Sequence, residues 1–175
     1  MAARARARAQ LIAVDGVRGR AIARRAQDVR RKMKRKWNVQ AGISRWDASG
    51  AFYELRAAGR KALTLTPRTL LLLYASDLAF RLRWEIGPAL DAGQTVIAAP
   101  YVDTAIAFAE GAGLSRKWVM ELLRFAPRPG ARVRAGGTKK GKDPKTATML
   151  GFIEFATVAV RTLQRRTPAQ PSTAR

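Results

Sequence analysis

Pro67-Arg68-Thr69-Leu70-Leu71-Leu72-Leu73-Tyr74-Ala75-Ser76-Asp77, running on through Trp84 and Ile86 to Pro88 and Gly93 and then into Thr95-Val96-Ile97-Ala98-Ala99, decides the fold. The Thr66 hydroxyl suits a helix N-cap, and Pro67 suits the first helical position, where a missing N–H costs nothing. The first half of this helix is apolar on nearly every side and is expected to be buried all round, with Pro88 and Gly93 closing the helix. Thr95–Ala99 is short, apolar and rich in β-branched residues, the pattern of an interior parallel strand. It ends at Pro100-Tyr101-Val102-Asp103-Thr104, and in open α/β sheets ligands sit outside that end of the strands. The reading is therefore an α/β protein, a parallel sheet flanked by helices.

Working outward, Leu11-Ile12-Ala13-Val14 reads as a first strand, and Asp15-Gly16-Val17-Arg18-Gly19-Arg20 turns from it into a helix. Ile22, Ala26, Val29, Met33 and Trp37 fall at spacings of three and four, one apolar stripe to lay against the sheet. The other faces of this helix are cationic. Val39 to Ile43 is expected to be a second strand, ending at Ser44-Arg45-Trp46, and Ala51 to Leu63 a modest helix. Asp103 to Ala112 begins another helix, and Ser115 caps a further one with Trp118, Val119, Leu122 and Phe125 on one side. From Ala126 to Lys145 prolines and glycines mix with cations, as in a flexible loop. Asp143-Pro144 starts a final helix that runs to about Arg165. The organisation expected is a basic N-terminal arm over 1–10, an α/β core over 11–127, a flexible basic loop over 128–145, a C-terminal helix over 146–166 and a disordered tail over 167–175.

The 175 residues suit one domain with its own core. With 34 Lys+Arg against 12 Asp+Glu the net charge is +22, more than solubility requires, so a polyanionic partner is the first expectation. There is no Cys and no His, which excludes disulfides, thiol nucleophiles, imidazole acid–base chemistry and the usual zinc sites. No apolar run reaches the ~18 residues that span a bilayer, and the N-terminus lacks the apolar core of a secretory signal. A cytoplasmic protein is expected.

The Pro67–Asp77 string, Pro88-Ala89-Leu90-Asp91-Ala92-Gly93, Val96-Ile97 and Tyr101-Val102-Asp103-Thr104 resemble, in order, the middle of a thymidylate kinase. The resemblance covers roughly Leu11 to Pro127. It implies a P-loop-NTPase-like fold, a phosphate loop after the first strand and an Asp-Arg-Tyr turn after the third. A phosphate loop works because glycines let backbone N–H groups surround phosphate, a Lys reaches the outer phosphates and a Ser/Thr hydroxyl holds magnesium. Aligned on Leu11–Val14, the family's Lys falls on Ile22, its Ser/Thr on Ala23 and its third glycine on Ala21. The Asp-Arg pair before the turn Tyr falls on Ala99 and Pro100, and the Arg after Asp77 on Leu78. A Tyr and a Gln beside the base fall on Phe108 and Ala109, and a turn Ser on Ala105. What the resemblance leaves as a vestigial nucleotide site is Asp15, Gly16, Gly19, Arg20, Arg45, Tyr101 and Asp103. The loop from Arg128 stands where the family has its fourth strand and lid, so a sheet shortened in the C-terminal third is expected, and no fourth strand is placed there.

Phosphoryl transfer depends on cations and donors placed around the transferring group, and losing them together removes many decades of rate. A degenerate kinase without catalytic residues, metal or cofactor follows from this reading. The densest positive segments are Arg30, Arg31, Lys32, Lys34, Arg35 and Lys36 on the first helix, and Arg132, Arg134, Lys139, Lys140 and Lys142 in the loop. They suit nucleic-acid phosphates bound without sequence readout, and Trp37 or Trp46 could stack on bases. Two other functions compete. One is a divergent kinase or nucleotide sensor that still binds ATP with magnesium or dTMP, using Arg20 or Arg24 as substitute cations. The other is a structural subunit, a homodimer or a heterodimer with an active kinase, paired through the central helix.

Overall fold

A computed structural model describes residues 9–46 and 65–136. The element order is β1 (Leu11–Asp15), α1 (Gly19–Trp37), β2 (Ala41–Arg45), α2 (Pro67–Arg81), a π-helical turn (Leu82–Ile86), α3 (Gly87–Asp91), β3 (Thr95–Ala99), α4 (Val102–Gly111), α5 (Arg116–Leu122) and β4 (Ala131–Arg134). The sheet has strand order β2-β3-β1-β4 and is parallel throughout. Ile12 pairs with Ile97 on one side and with Ala131 on the other. β1 and β3 are buried at every position, which requires cover on both sheet faces. α1 packs on β1, β2 and β3, while α4 packs on β1 and is backed by α2 and α5.

The central unit forms as the residues dictate. Thr66 Oγ1 accepts from the Thr69 N–H at 3.2 Å, and Pro67 occupies the first turn. Leu70, Leu71, Tyr74 and Leu78 are buried, but Leu72 on the opposite side is exposed, so the first half of α2 is not buried all round. Pro88 does not stop the helix. The preceding turn opens to π geometry, with the Gly87 N–H reaching the Leu82 carbonyl, and α3 starts with Pro88 in its first turn. Widening the turn accommodates the missing proline donor. A Cβ on Gly87 would stand 2.8 Å from the Leu82 oxygen, which explains the glycine there.

Three further expectations are corrected. β2 covers Ala41–Arg45, two residues later than the apolar run from Val39, because Asn38 ends α1 in the left-handed region at φ 52° and Val39 and Gln40 complete the turn. A fourth strand exists inside the stretch read as flexible loop: Ala131–Arg134 pairs with β1, its side chains alternating half-buried and exposed. The apolar stripe of α1 ends early, since Ile22, Ala26 and Met33 are buried but Trp37 is 55% exposed. The expected helices at 51–63 and 146–166, the arm over 1–8, the tail, and Lys139, Lys140 and Lys142 lie outside the described residues. Among the described residues no helix is long and apolar enough to cross a membrane.

Candidate functional site

β1, β3 and β4 end together around the turn from Asp15 to Gly19. Asp15 is buried, and its Oδ1 accepts from the Tyr101 N–H at 2.7 Å, the Thr104 N–H at 3.1 Å and the Thr104 hydroxyl at 2.7 Å. Tyr101 and Thr104 stand at the first turn of α4, so the Asp15 carboxylate caps that helix from 86 residues away in sequence. Burial pushes the Asp15 carboxyl above the ordinary carboxylate range, opposed by the hydrogen bonds from Thr104 and Tyr101. The Gly16 N–H, the first donor of the turn, donates to Thr104 Oγ1 at 3.2 Å. A Cβ on Gly16 would sit 3.0 Å from the Ala135 oxygen and 3.2 Å from Ile22 Cγ1, so the turn lies flat on core and on the strand beside it.

Ile22 is 1% exposed and belongs to the main hydrophobic core. Ala23 is half-buried, and Arg20 and Arg24 are exposed on α1. Tyr101 is a core ring whose hydroxyl donates to the Pro127 carbonyl at 2.7 Å, tying β3 to the segment before β4. Burial pushes that hydroxyl up to about 12. Asp103 is held by Arg132, whose Nη1 donates to both carboxylate oxygens at 3.0 and 3.1 Å. Asp15, Gly16, Asp103, Arg132 and Arg134 thus share the rim of one cleft of about 430 Å³. Gly19 opens α1 and is buried, and Arg45 ends β2 on the far side of β3, away from that cleft.

Sequence reasoning passed over a second polar cluster, at the ends of β2 and β3. Arg81 is fully buried; its Nε donates to Ser44 Oγ at 3.0 Å and its Nη2 to the carbonyls of Ser44 at 3.2 Å and Pro100 at 3.0 Å. Asp77, also buried, lies one turn before Arg81, with its Oδ2 3.9 Å from Nη1. Ser44 Oγ donates to Glu85 at 2.6 Å. An Asp and an Arg four residues apart inside an apolar helix were the available signal. Trp46 is buried against Tyr74, ring centroids 4.4 Å apart, and Leu78, Ala99, Ala105, Phe108 and Ala109 are all core residues. Among the described residues no cluster of three or more His, Cys, Asp or Glu is arranged to hold a metal.

A wholly parallel sheet in the order β2-β3-β1-β4, with a glycine turn leading from the central strand β1 into α1, defines the class: a P-loop-kinase-like α/β fold. Within that class the likeness is to thymidylate kinase. The solved thymidylate kinase from Ehrlichia chaffeensis matches with a TM-score of 0.62 over 90% of this chain and 85% of its own, at 15% identity, a likeness of fold. In sequence, probable thymidylate kinases from Pyrococcus abyssi and Thermococcus gammatolerans are 41% and 40% identical over 58 residues. That match spans 33% of this chain and 28% of each relative. No family model matches. The chain is thymidylate-kinase-like in fold and in part of its sequence.

Proposed function

We propose that this thymidylate-kinase-like chain no longer transfers phosphoryl groups and acts in the cytoplasm as a cationic binding module for a polyanion, foremost nucleic acid. The observation that carries this reading is Ile22, a core side chain at the position where the resemblance calls for a phosphate-gripping lysine. The other residues of the turn do not fit a magnesium triphosphate either. Ala23 has no oxygen for a metal, the Gly16 N–H is directed at Thr104, and Asp15 is engaged by the start of α4. An aliphatic side chain cannot balance developing phosphate charge, and transfer of this kind relies on such balance. The retained polar residues support the same reading, because Asp15, Tyr101 and Asp103 each work as scaffold.

The positive surface supplies the binding half. α1 carries nine Lys or Arg and one carboxylate, Asp28, with Lys34, Arg35 and Lys36 in its last turn, where the helix dipole favours cations. Arg30, Arg31, Lys32, Lys34 and Arg35 line a shallow depression of about 780 Å³ along this helix, together with Asp28, whose carboxylate accepts from Arg31 Nη2. With Arg31 paired to Asp28, four phosphate neutralisations would give log K a slope of roughly −2.8 or steeper against log salt. Titrating labelled oligonucleotides across salt concentrations tests this, run beside thermal shifts with ATP–magnesium and with dTMP. The expected result is steep salt dependence and no nucleotide shift. A nucleotide at a hundred times its dissociation constant would stabilise by about 2.7 kcal/mol, and such a shift would overturn the proposal.

A second reading has its own observation. Leu72, Phe80 and Trp84 are exposed along α2 and the π turn, Trp84 to 65%, three large apolar side chains on one stretch of chain. Exposed apolar stretches of this kind mark association surfaces. Pairing of two copies through it, or with a related kinase subunit, is compatible with nucleic-acid binding on α1. Light scattering of wild type against Trp84→Ser decides it: a dimer that the substitution splits supports pairing, and a wild-type monomer rejects the homodimer.

A further inference from the structure

Beside the charged face of α1 the structure opens a second, apolar groove, of about 990 Å³, between α1 and the β1–β4 side of the sheet. Ile12, Val29, Met33, Val39, Val133 and Trp37 are among its apolar lining, and its charged lining is Arg25, Lys32 and Asp28. The sequence alone does not distinguish Trp37 from Trp46, and the structure separates them. Trp46 is 3% exposed and packed on Tyr74, so no base can reach it. Trp37 is 55% exposed, lines the groove and carries the Lys36 ammonium 5.4 Å from its ring centroid.

We propose that the partner of α1 is specifically single-stranded nucleic acid, with bases entering this groove and stacking on Trp37 while the cations of α1 hold the backbone. The inference rests on the nucleic-acid reading above and deepens it. Lys32 lines both the apolar groove and the cationic depression, so the two join along one helix. A duplex presents only phosphates and stacked bases to such a surface, whereas a single strand offers unpaired bases to an exposed aromatic ring and an apolar lining. Charge complementarity selects the polyanion, and the groove selects its unpaired form. The ring would serve bases of any identity, because every base has a π-face.

The test compares a labelled oligothymidylate with a duplex of equal length, on the full chain and on Trp37→Ala, Trp37→Phe and Arg31→Ala/Arg35→Ala. Trp37 is exposed, so its replacement leaves the core intact, and circular dichroism checks this. The expected result is that Trp37→Ala weakens single-strand binding tenfold or more, Trp37→Phe restores most of it, and duplex binding is unchanged. Arg31→Ala/Arg35→Ala should lower affinity for both and flatten the salt slope. If both nucleic acids bind steeply with salt and Trp37→Ala changes neither, the groove is not a base site and only this inference fails. A groove filled instead by another segment or by a protein would give that same result and overturn the inference in the same way. If neither nucleic acid binds, the broader reading fails with it.

Discussion

Replacing Asp15 separates a nucleotide ligand from a structural cap. In Asp15→Ala the Tyr101 and Thr104 N–H groups lose their acceptor inside the protein, as does the Thr104 hydroxyl, which unlike them is free to rotate. Orphaning a buried donor costs about 1–3 kcal/mol, so two cost about 2–6, offset in part by removing a desolvated carboxylate. The net expectation is a loss of about 2–4 kcal/mol, a large share of a typical domain's stability. In Asp15→Asn an acceptor oxygen remains and the charge is gone, so the expected change is under about 1 kcal/mol. Urea unfolding measures both; with a slope of about 2 kcal/mol/M the Ala variant should unfold about 1–2 M earlier. pH supplies an internal control. Because burial raises the Asp15 carboxyl in the folded state, the native protein holds that proton longer than the unfolded chain does. The resulting stability is complete below the ordinary carboxylate pKa and is lost as pH rises through the folded value. Asp15→Asn should lack that component. An Asp15→Ala protein within about 0.5 kcal/mol of wild type would refute the capping role, since a lost cap typically costs ~1 kcal/mol.

Other outcomes follow from the same geometry. Ile22→Lys, which restores the residue type of a working phosphate loop, should destabilise by several kcal/mol in thermal melts and restore no nucleotide binding, because the position is core. Arg81→Ala should cost about 3–5 kcal/mol in urea by leaving Asp77 and the Ser44 and Pro100 carbonyls without their cation, and Arg81→Lys should recover only part, lacking the planar fork. Gly87→Ala should lower the melting temperature by driving a methyl against the Leu82 carbonyl. At alkaline pH the Tyr101 hydroxyl, pushed up to about 12, keeps its proton after the unfolded chain has lost its own at 10.0. Stability should therefore fall between those values, and Tyr101→Phe should remove that part of the fall.

What was legible in the sequence is what depends on neighbours along the chain. Thr95–Ala99 is the strand read from its apolar run, and Thr66-Pro67 is the helix start read from its capping chemistry. The second strand slipped by two residues because the left-handed turn at Asn38 carries no sharp compositional mark. β4 is hard to read because prolines and glycines surround it, although the alternation Ala131-Arg132-Val133-Arg134 is the period-two signal of a half-buried strand. The site was less legible still. That Asp15 caps α4 depends on two segments meeting across the sheet, and no local pattern encodes it. The same holds for Arg81, whose partners come from β2 and from the turn after β3, and for the opposite burial of Trp37 and Trp46. Where a position matched the thymidylate kinase pattern, the sequence alone could not tell a ligand from a strut; Tyr101 and Asp103 are tied to Pro127 and Arg132.

The central claim is that this chain cannot carry a phosphoryl group from a triphosphate to a nucleotide. Coupled detection of ADP from purified protein with ATP, magnesium and dTMP addresses it directly, with Arg20→Ala as the paired control. The account predicts no ADP above the rate without dTMP. dTMP-dependent turnover that disappears in Arg20→Ala would contradict it, because an exposed arginine of α1 would then be standing in for the missing lysine.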